Sequence, residues 1–115
     1  EWIIWNTANN PWTSNSISLI YKDYIVLCSP NETEMLFILD LKDDTETWKH
    51  INTSNNPSPR TNVGMCIYDK YLVIHGGCDE YCVFSDIHMI NIGDIWSNIN
   101  GTFSWRKTKY VIDFP

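Results

Sequence analysis

Residues 2–11 read WIIWNTANNP and residues 48–57 read WKHINTSNNP, sharing a Trp, an Asn-Thr step and an Asn-Asn-Pro exit at an offset of 46. The match then continues. IYKDYIVL at 20–27 aligns with IYDKYLVI at 67–74, and LFILDL at 36–41 aligns with IHMINI at 87–92. Trp48-Lys49 finally meets Trp105-Arg106, by which point the offset has grown to 57. A period near 50 residues carrying several short apolar segments marks a stacked or radial repeat rather than one conventional domain. The offset grows only between matching segments, so the extra residues belong to connections and the segments keep their length.

Composition narrows the class. At 43% hydrophobic and 14% aromatic residues, the chain has enough apolar surface to bury, which excludes simple disorder. No apolar run approaches the roughly 20 residues of a membrane helix, so no membrane partner is expected. The net charge of −6 argues against nucleic acid, whose affinity rests on cationic contacts that release counterions. The chain starts with Glu and has no signal-like apolar core. It therefore reads as a mature product or a segment of something longer.

Cysteine usage points to a reducing compartment. Cys28, Cys66, Cys78 and Cys82 do not form the dense framework of a small secreted domain. Cys66 lies within an apolar alternation and reads as a small buried hydrophobe. Cys78 and Cys82 flank Asp-Glu-Tyr in one loop, and a disulfide across it stays open at this level. Sequons occur at Asn31, Asn52 and Asn100, but a chain this rich in Asn, Ser and Thr yields them by chance. The expected location is cytoplasmic, with secretion as the alternative.

No segment keeps a helical apolar period over ten residues. Short runs of Ile, Val, Leu, Tyr and Phe are instead bounded by Asn, Asp, Gly and Pro, the signals of strands and turns. Strands are predicted at 17–21, 24–28, 35–41 and 47–51, and again at 63–68, 71–75, 87–92 and 103–107. Lys22-Asp23 and Asp69-Lys70 make two-residue hairpin turns, and Asp43-Asp44 starts another turn. Such strands point to an all-β sandwich, barrel or propeller, and the repeat favours a propeller of four-stranded antiparallel blades.

The second unit carries Pro59-Arg60, Gly76-Gly77 after a second strand, Ser85-Asp86 before a third, Asn91 closing it, and Trp105 in a fourth. This pattern resembles a kelch repeat. The first unit resembles a degenerate copy, with Ser14 in place of Arg and Ser29-Pro30 in place of Gly-Gly. Pro30 fixes φ and lacks a donor, so a different turn path is expected there. The resemblance implies a partial β-propeller: blade one at about 12–51, blade two at about 59–108, and residues 1–5 a strand of a preceding blade. Two blades cannot close a ring, so the remaining blades of a larger propeller are an expected partner.

Candidate sites follow from the loops. His75, Cys78, Cys82 and His88 include zinc-ligand types, but Cys-x3-Cys is off the usual spacing and His88 falls in a strand, so no metal is expected. Asp43-Asp44 and Asp79-Glu80 read as solvated turn acids. No nucleophile elbow, zinc-protease or phosphate-loop motif occurs, and no catalytic residue or cofactor is assigned. Some kelch-type propellers are enzymes, including a copper oxidase related to galactose oxidase, but no set of His and Tyr ligands matches here. Against the first unit, the connection from second to third strand is enlarged in residues 76–85. The connection around Ile95-Trp96 is enlarged as well. Binding residues collect in loops on a rigid scaffold. The expected protein contact is the rim carrying Asn55, Asn56, Arg60, Asp79, Glu80 and Tyr81. Kelch-type proteins commonly act as adaptors or scaffolds, so the resemblance implies a non-catalytic protein-binding role. An extracellular glycosylated segment is the alternative, and a propeller enzyme a further one.

Overall fold

The computed structural model describes residues 11–42 and 47–108. Its first hairpin pairs β1 (Ile17–Tyr21) with β2 (Tyr24–Cys28), which pairs with β3 (Leu36–Asp40) and then β4 (Lys49–His50). β5 (Asn52–Ser54) follows, then β6 (Gly64–Tyr68), β7 (Tyr71–His75), β8 (Ile87–Asn91) and β9 (Thr102–Lys107). The second sheet has the order β5-β9-β8-β7-β6. Each first hairpin turns on two residues, the leading one in left-handed conformation: Lys22 at φ 53° and Asp69 at φ 54°. Two-residue turns of that hand match the right-handed twist of the strands they join. The two inner strands, β1 and β6, lie side by side. No described helix is long and apolar enough to cross a membrane.

Both sheets are amphipathic across their strands. Leu19, Val26 and Ile38 stand in one cross-strand row of the first sheet. Ile67, Leu72, Ile90 and Trp105 form a row of the second. These rows belong to one buried cluster that joins the sheets. Leu27, Leu39 and Trp48 form a separate cluster on the other side of the first sheet. Trp48 and Trp105, the tryptophans that recur with the repeat, are 5% and 2% exposed. At about 25 cal/mol per Å² of apolar area, each indole is among the larger single contributions to the fold.

Three expectations are corrected. The second sheet has five strands rather than four, because Asn52–Ser54 adds to its outer edge, parallel to β9. That strand lies outside the expected 59–108 and inside neither predicted unit. The chain from Lys49 to Ser54 thus pairs first with one blade and then with the next, and Ile51, fully buried, marks the crossing. Cys66 is exposed, not buried. It shares a cross-strand row with Val73 and Met89 on the face of the second sheet turned away from the first. The turn at Ser29-Pro30 also keeps more of the second unit's path than its sequence promised. Ser29 N–H donates to Met35 O at 2.7 Å, and its repeat partner Gly76 donates to Asp86 O at 3.0 Å. The paths part at the next residue, where Gly77 adopts φ 95° and Pro30 has no positive φ. The segments 1–5 and Asp43-Asp44 lie outside the described residues.

Candidate functional site

Arg60 sets the base of the site. It is 3% exposed, and its guanidinium forms a two-oxygen ion pair with Asp86, the second contact at 3.2 Å. The same group donates to Ser58 O at 3.0 Å, Ser58 Oγ at 3.0 Å and Gly76 O at 3.2 Å. It also lies 3.9 Å from the centroid of the Phe84 ring. A planar fork suits such a multidentate set, which an ammonium cannot reproduce. Hydrogen bonding from Arg60 and then His88, against an opposing effect of burial, holds the Asp86 carboxyl well below the usual carboxylate range. His88 Nε2 meets Asp86 Oδ2 at 2.9 Å, while its Nδ1 is buried with no partner.

On this base stands a narrow hairpin. Cys78 pairs with Thr61 on one side and with Val83 on the other. Thr61 N donates to Cys78 O at 2.8 Å, and Cys78 N to Thr61 O at 2.9 Å. Phe84 N donates to Gly77 O at 2.8 Å, closing the hairpin below. At Gly77 a side chain would place its first carbon 2.7 Å from Thr61 O, so the strand can pass only as glycine. Asp79 folds the tip: its Oδ1 accepts from Tyr81 N at 2.8 Å and Cys82 N at 2.7 Å. Those two N–H donors hold the Asp79 carboxyl below its ordinary range. Tyr81 in the turn and Val83 just after it are each 89% exposed. A rigid stem thus presents two apolar side chains and two acids to solvent.

The remaining rim residues lie elsewhere. Asn55, left-handed at φ 54°, donates to Ser104 Oγ at 2.8 Å, against β9. Asn56 Oδ1 accepts from Thr53 Oγ1 at 2.7 Å. Both therefore finish the outer strand. No described hydrogen bond joins either to 79–81; Thr61 and Asn62 are the residues of that connection that touch the hairpin. Arg60 is a correction of another kind, since its charge is spent beneath the surface. Sequence reasoning gave no role to Asp86, Phe84 or Val83. Asp86 carried a legible signal, an acid opening a strand that ends in the same unit as a Pro-Arg pair.

The other enlarged connection packs inward. Trp96 stacks on Tyr24 of the first sheet, ring centroids 5.3 Å apart, with Lys49 Nζ 5.3 Å from its centroid. Ile95 is 1% exposed and joins the shared core. The extra residues of that loop clasp one blade to the other.

Two four- and five-stranded sheets, packed face to face with their inner strands adjacent, are successive blades of a β-propeller. Their repeats resemble kelch repeats, and the fold is that of a propeller segment. No family model matches it. It is similar to "Acyl-CoA-binding domain-containing protein 5" of Arabidopsis thaliana, at 29% identity over 124 aligned positions, covering 100% of this chain and 18% of that protein. Among solved structures it is similar to YjhT, at 19% identity and a TM-score of 0.61, covering 83% of this chain and 27% of that one. The chain thus spans less than a third of either relative.

Proposed function

We propose that this segment is part of a non-catalytic, protein-binding propeller and that the hairpin at 78–83 is its contact element. The observation that carries the reading is the exposure of Tyr81 and Val83, 89% each, on a stem anchored to Thr61 and Phe84. Large apolar side chains on an ordered stem lose little entropy on docking, and tyrosine is a frequent interface anchor. Asp79 and Glu80 flank the tip and act on encounter rate and salt dependence, as peripheral charges do. The partner surface this fits is an apolar cleft bordered by basic groups. A cytoplasmic setting is part of the proposal, supported by four cysteines that are all free thiols. The test is site-specific photocrosslinking in the longer protein, with the reactive residue at Tyr81 in one sample and at Trp96 in another. The reading expects a discrete protein adduct from position 81, reduced by Val83→Asp. Adducts only from position 96 would place the contact on the Trp96 connection and overturn it.

A further inference from the structure

The chain holds two Ser-Pro steps, Ser29-Pro30 and Ser58-Pro59, in opposite settings. Ser29 is 1% exposed, and its hydroxyl is held 2.7 Å from Ser16 Oγ. Ser58 is exposed, in the connection between β5 and β6, with Pro57 buried before it and Pro59 exposed after it. A residue before proline is steered to extended backbone, and neither proline offers an N–H. Among the described residues no backbone–backbone hydrogen bond engages 56–59. Ser58 is thus presented on an extended segment outside any ladder. Its hydroxyl also sits at an arginine. Arg60 Nη2 donates to Ser58 Oγ at 3.0 Å, and Nε to Ser58 O at 3.0 Å. Nη2 further donates to Asp86 Oδ2 at 3.2 Å, and Nη1 serves Asp86 Oδ1 and, at 3.2 Å, Gly76 O. Every N–H of the guanidinium is then assigned. An anion placed on Ser58 Oγ has to compete with Asp86 for them.

We infer that Ser58 is a phosphorylation site for a proline-directed serine/threonine kinase, and that its phosphate draws Arg60 away from Asp86. The serine oxygen bonds to the terminal phosphorus of ATP, the bond from that phosphorus to its bridging oxygen breaks, and ADP leaves. The serine proton passes to a base of the kinase. The product carries a charge of roughly −1.5 to −2 at pH 7 and three strong acceptor oxygens. Ser58 Oγ already lies at hydrogen-bond distance from Nη2, so those oxygens start within reach of the guanidinium. Asp86 Oδ2, the longer of the two contacts made by Nη2, is the one that yields. Asp86 keeps His88 Nε2 at 2.9 Å, and the exposed Lys107 places its Nζ 4.0 Å away, so the carboxylate is not abandoned. The foot of the 78–83 hairpin loosens instead. Arg60 also holds Gly76 O and lies against the Phe84 ring, and these residues flank the hairpin stem. Ser29 takes no phosphate because its oxygen is buried.

The experiment treats the whole folded chain with an activated mitogen-activated protein kinase and magnesium ATP, followed by peptide mapping. Phosphate should appear on Ser58, and Ser58→Ala should remove it. A chain that takes no phosphate, or takes it at Ser29 instead, overturns the site. Native-state hydrogen exchange then compares the phosphorylated chain, the unmodified chain and Ser58→Ala. The Phe84 amide donates to Gly77 O at the foot of the hairpin. After phosphorylation it should exchange about tenfold faster, equivalent to about 1.4 kcal/mol. The Val73 amide, in the middle of β7, should keep its rate, and Ser58→Ala should exchange like the unmodified chain. A constant rate at Phe84 in fully phosphorylated protein overturns the effect on Arg60. Equal acceleration at Val73, or the same acceleration in Ser58→Ala, overturns it as well, since neither is specific to a phosphate at Arg60.

Discussion

Asp86 concentrates the electrostatics of the second blade in one carboxylate. Arg60 and His88 both bond to it, and Lys107 Nζ stands 4.0 Å away. Breaking such a partly buried pair costs about 3–5 kcal/mol, because the partner left behind stays desolvated. Its pH dependence has a defined sign. The folded-state pKa is depressed relative to the unfolded chain, so the ionised carboxylate stabilises the fold above the unfolded value of about 4. That contribution is lost as pH falls through the folded pKa. Asp86→Asn is therefore expected to be destabilised against the parent by a constant amount from pH 7 to pH 5. The gap should then narrow on acidification below about pH 4. Urea unfolding at each pH checks this, and a gap that widens in acid would contradict it. The residue level was half legible in sequence. The Pro59-Arg60 pair marks the start of the second unit, yet the sequence groups Arg60 with the binding rim. Charge alone does not reveal that an arginine points inward; its partner, 26 positions downstream, does.

The two blades solve the same turn with different chemistry. Blade two joins its loops through Arg60 and Asp86, whereas the repeat-matched positions of blade one hold Ser14 and Met35. Met35 is 2% exposed, and the nearby Ser16 and Ser29 hydroxyls meet at 2.7 Å. Blade one holds neither charge at these positions, so neither partner is left there alone. A double-mutant cycle on blade two should show the same logic. Arg60→Ser and Asp86→Met singly should each cost several kcal/mol, as expected for an orphaned charge, whereas the pair together should cost less than the sum. Additive single effects would exclude coupling. The tryptophans give a second test at this scale. Trp48→Ala is expected to cost about 3–5 kcal/mol, since the indole is buried and contacts Trp12 edge-on at 6.3 Å. A melting temperature within a degree or two of the parent would refute the packing role. Eight of the nine described strands were legible, most of them because hydrophobic alternation marks a half-buried sheet. β5 was not, since Asn-Thr-Ser carries no apolar period. Its place is fixed by backbone pairing to β9 and by Ile51 before it, neither of which a side-chain pattern reports.

At the level of the whole chain, one sheet face decides behaviour in solution. In the first blade the row Leu19–Val26–Ile38 is packed against the second blade. Its repeat counterpart in the second blade is Cys66–Val73–Met89, with Tyr68 71% exposed beside it. Among the described residues, the repeat thus builds the same kind of surface twice and covers it once. Exposed apolar surface of this type, next to open strand edges, promotes association. Isolated as these 115 residues, the protein is expected to form dimers or larger species whose population rises with concentration. Tyr68→Lys together with Val73→Lys should shift it toward monomer. These substitutions place charge on a solvent-facing row and leave the shared core untouched. Val83→Lys, which alters the contact hairpin instead, should leave the association unchanged. Sedimentation velocity across a hundredfold concentration range distinguishes the cases. A concentration-independent monomer for the unmodified chain would show that the second blade's outer face is stable in water. Association abolished by Val83→Lys but not by the paired lysines would move the self-contact to the hairpin.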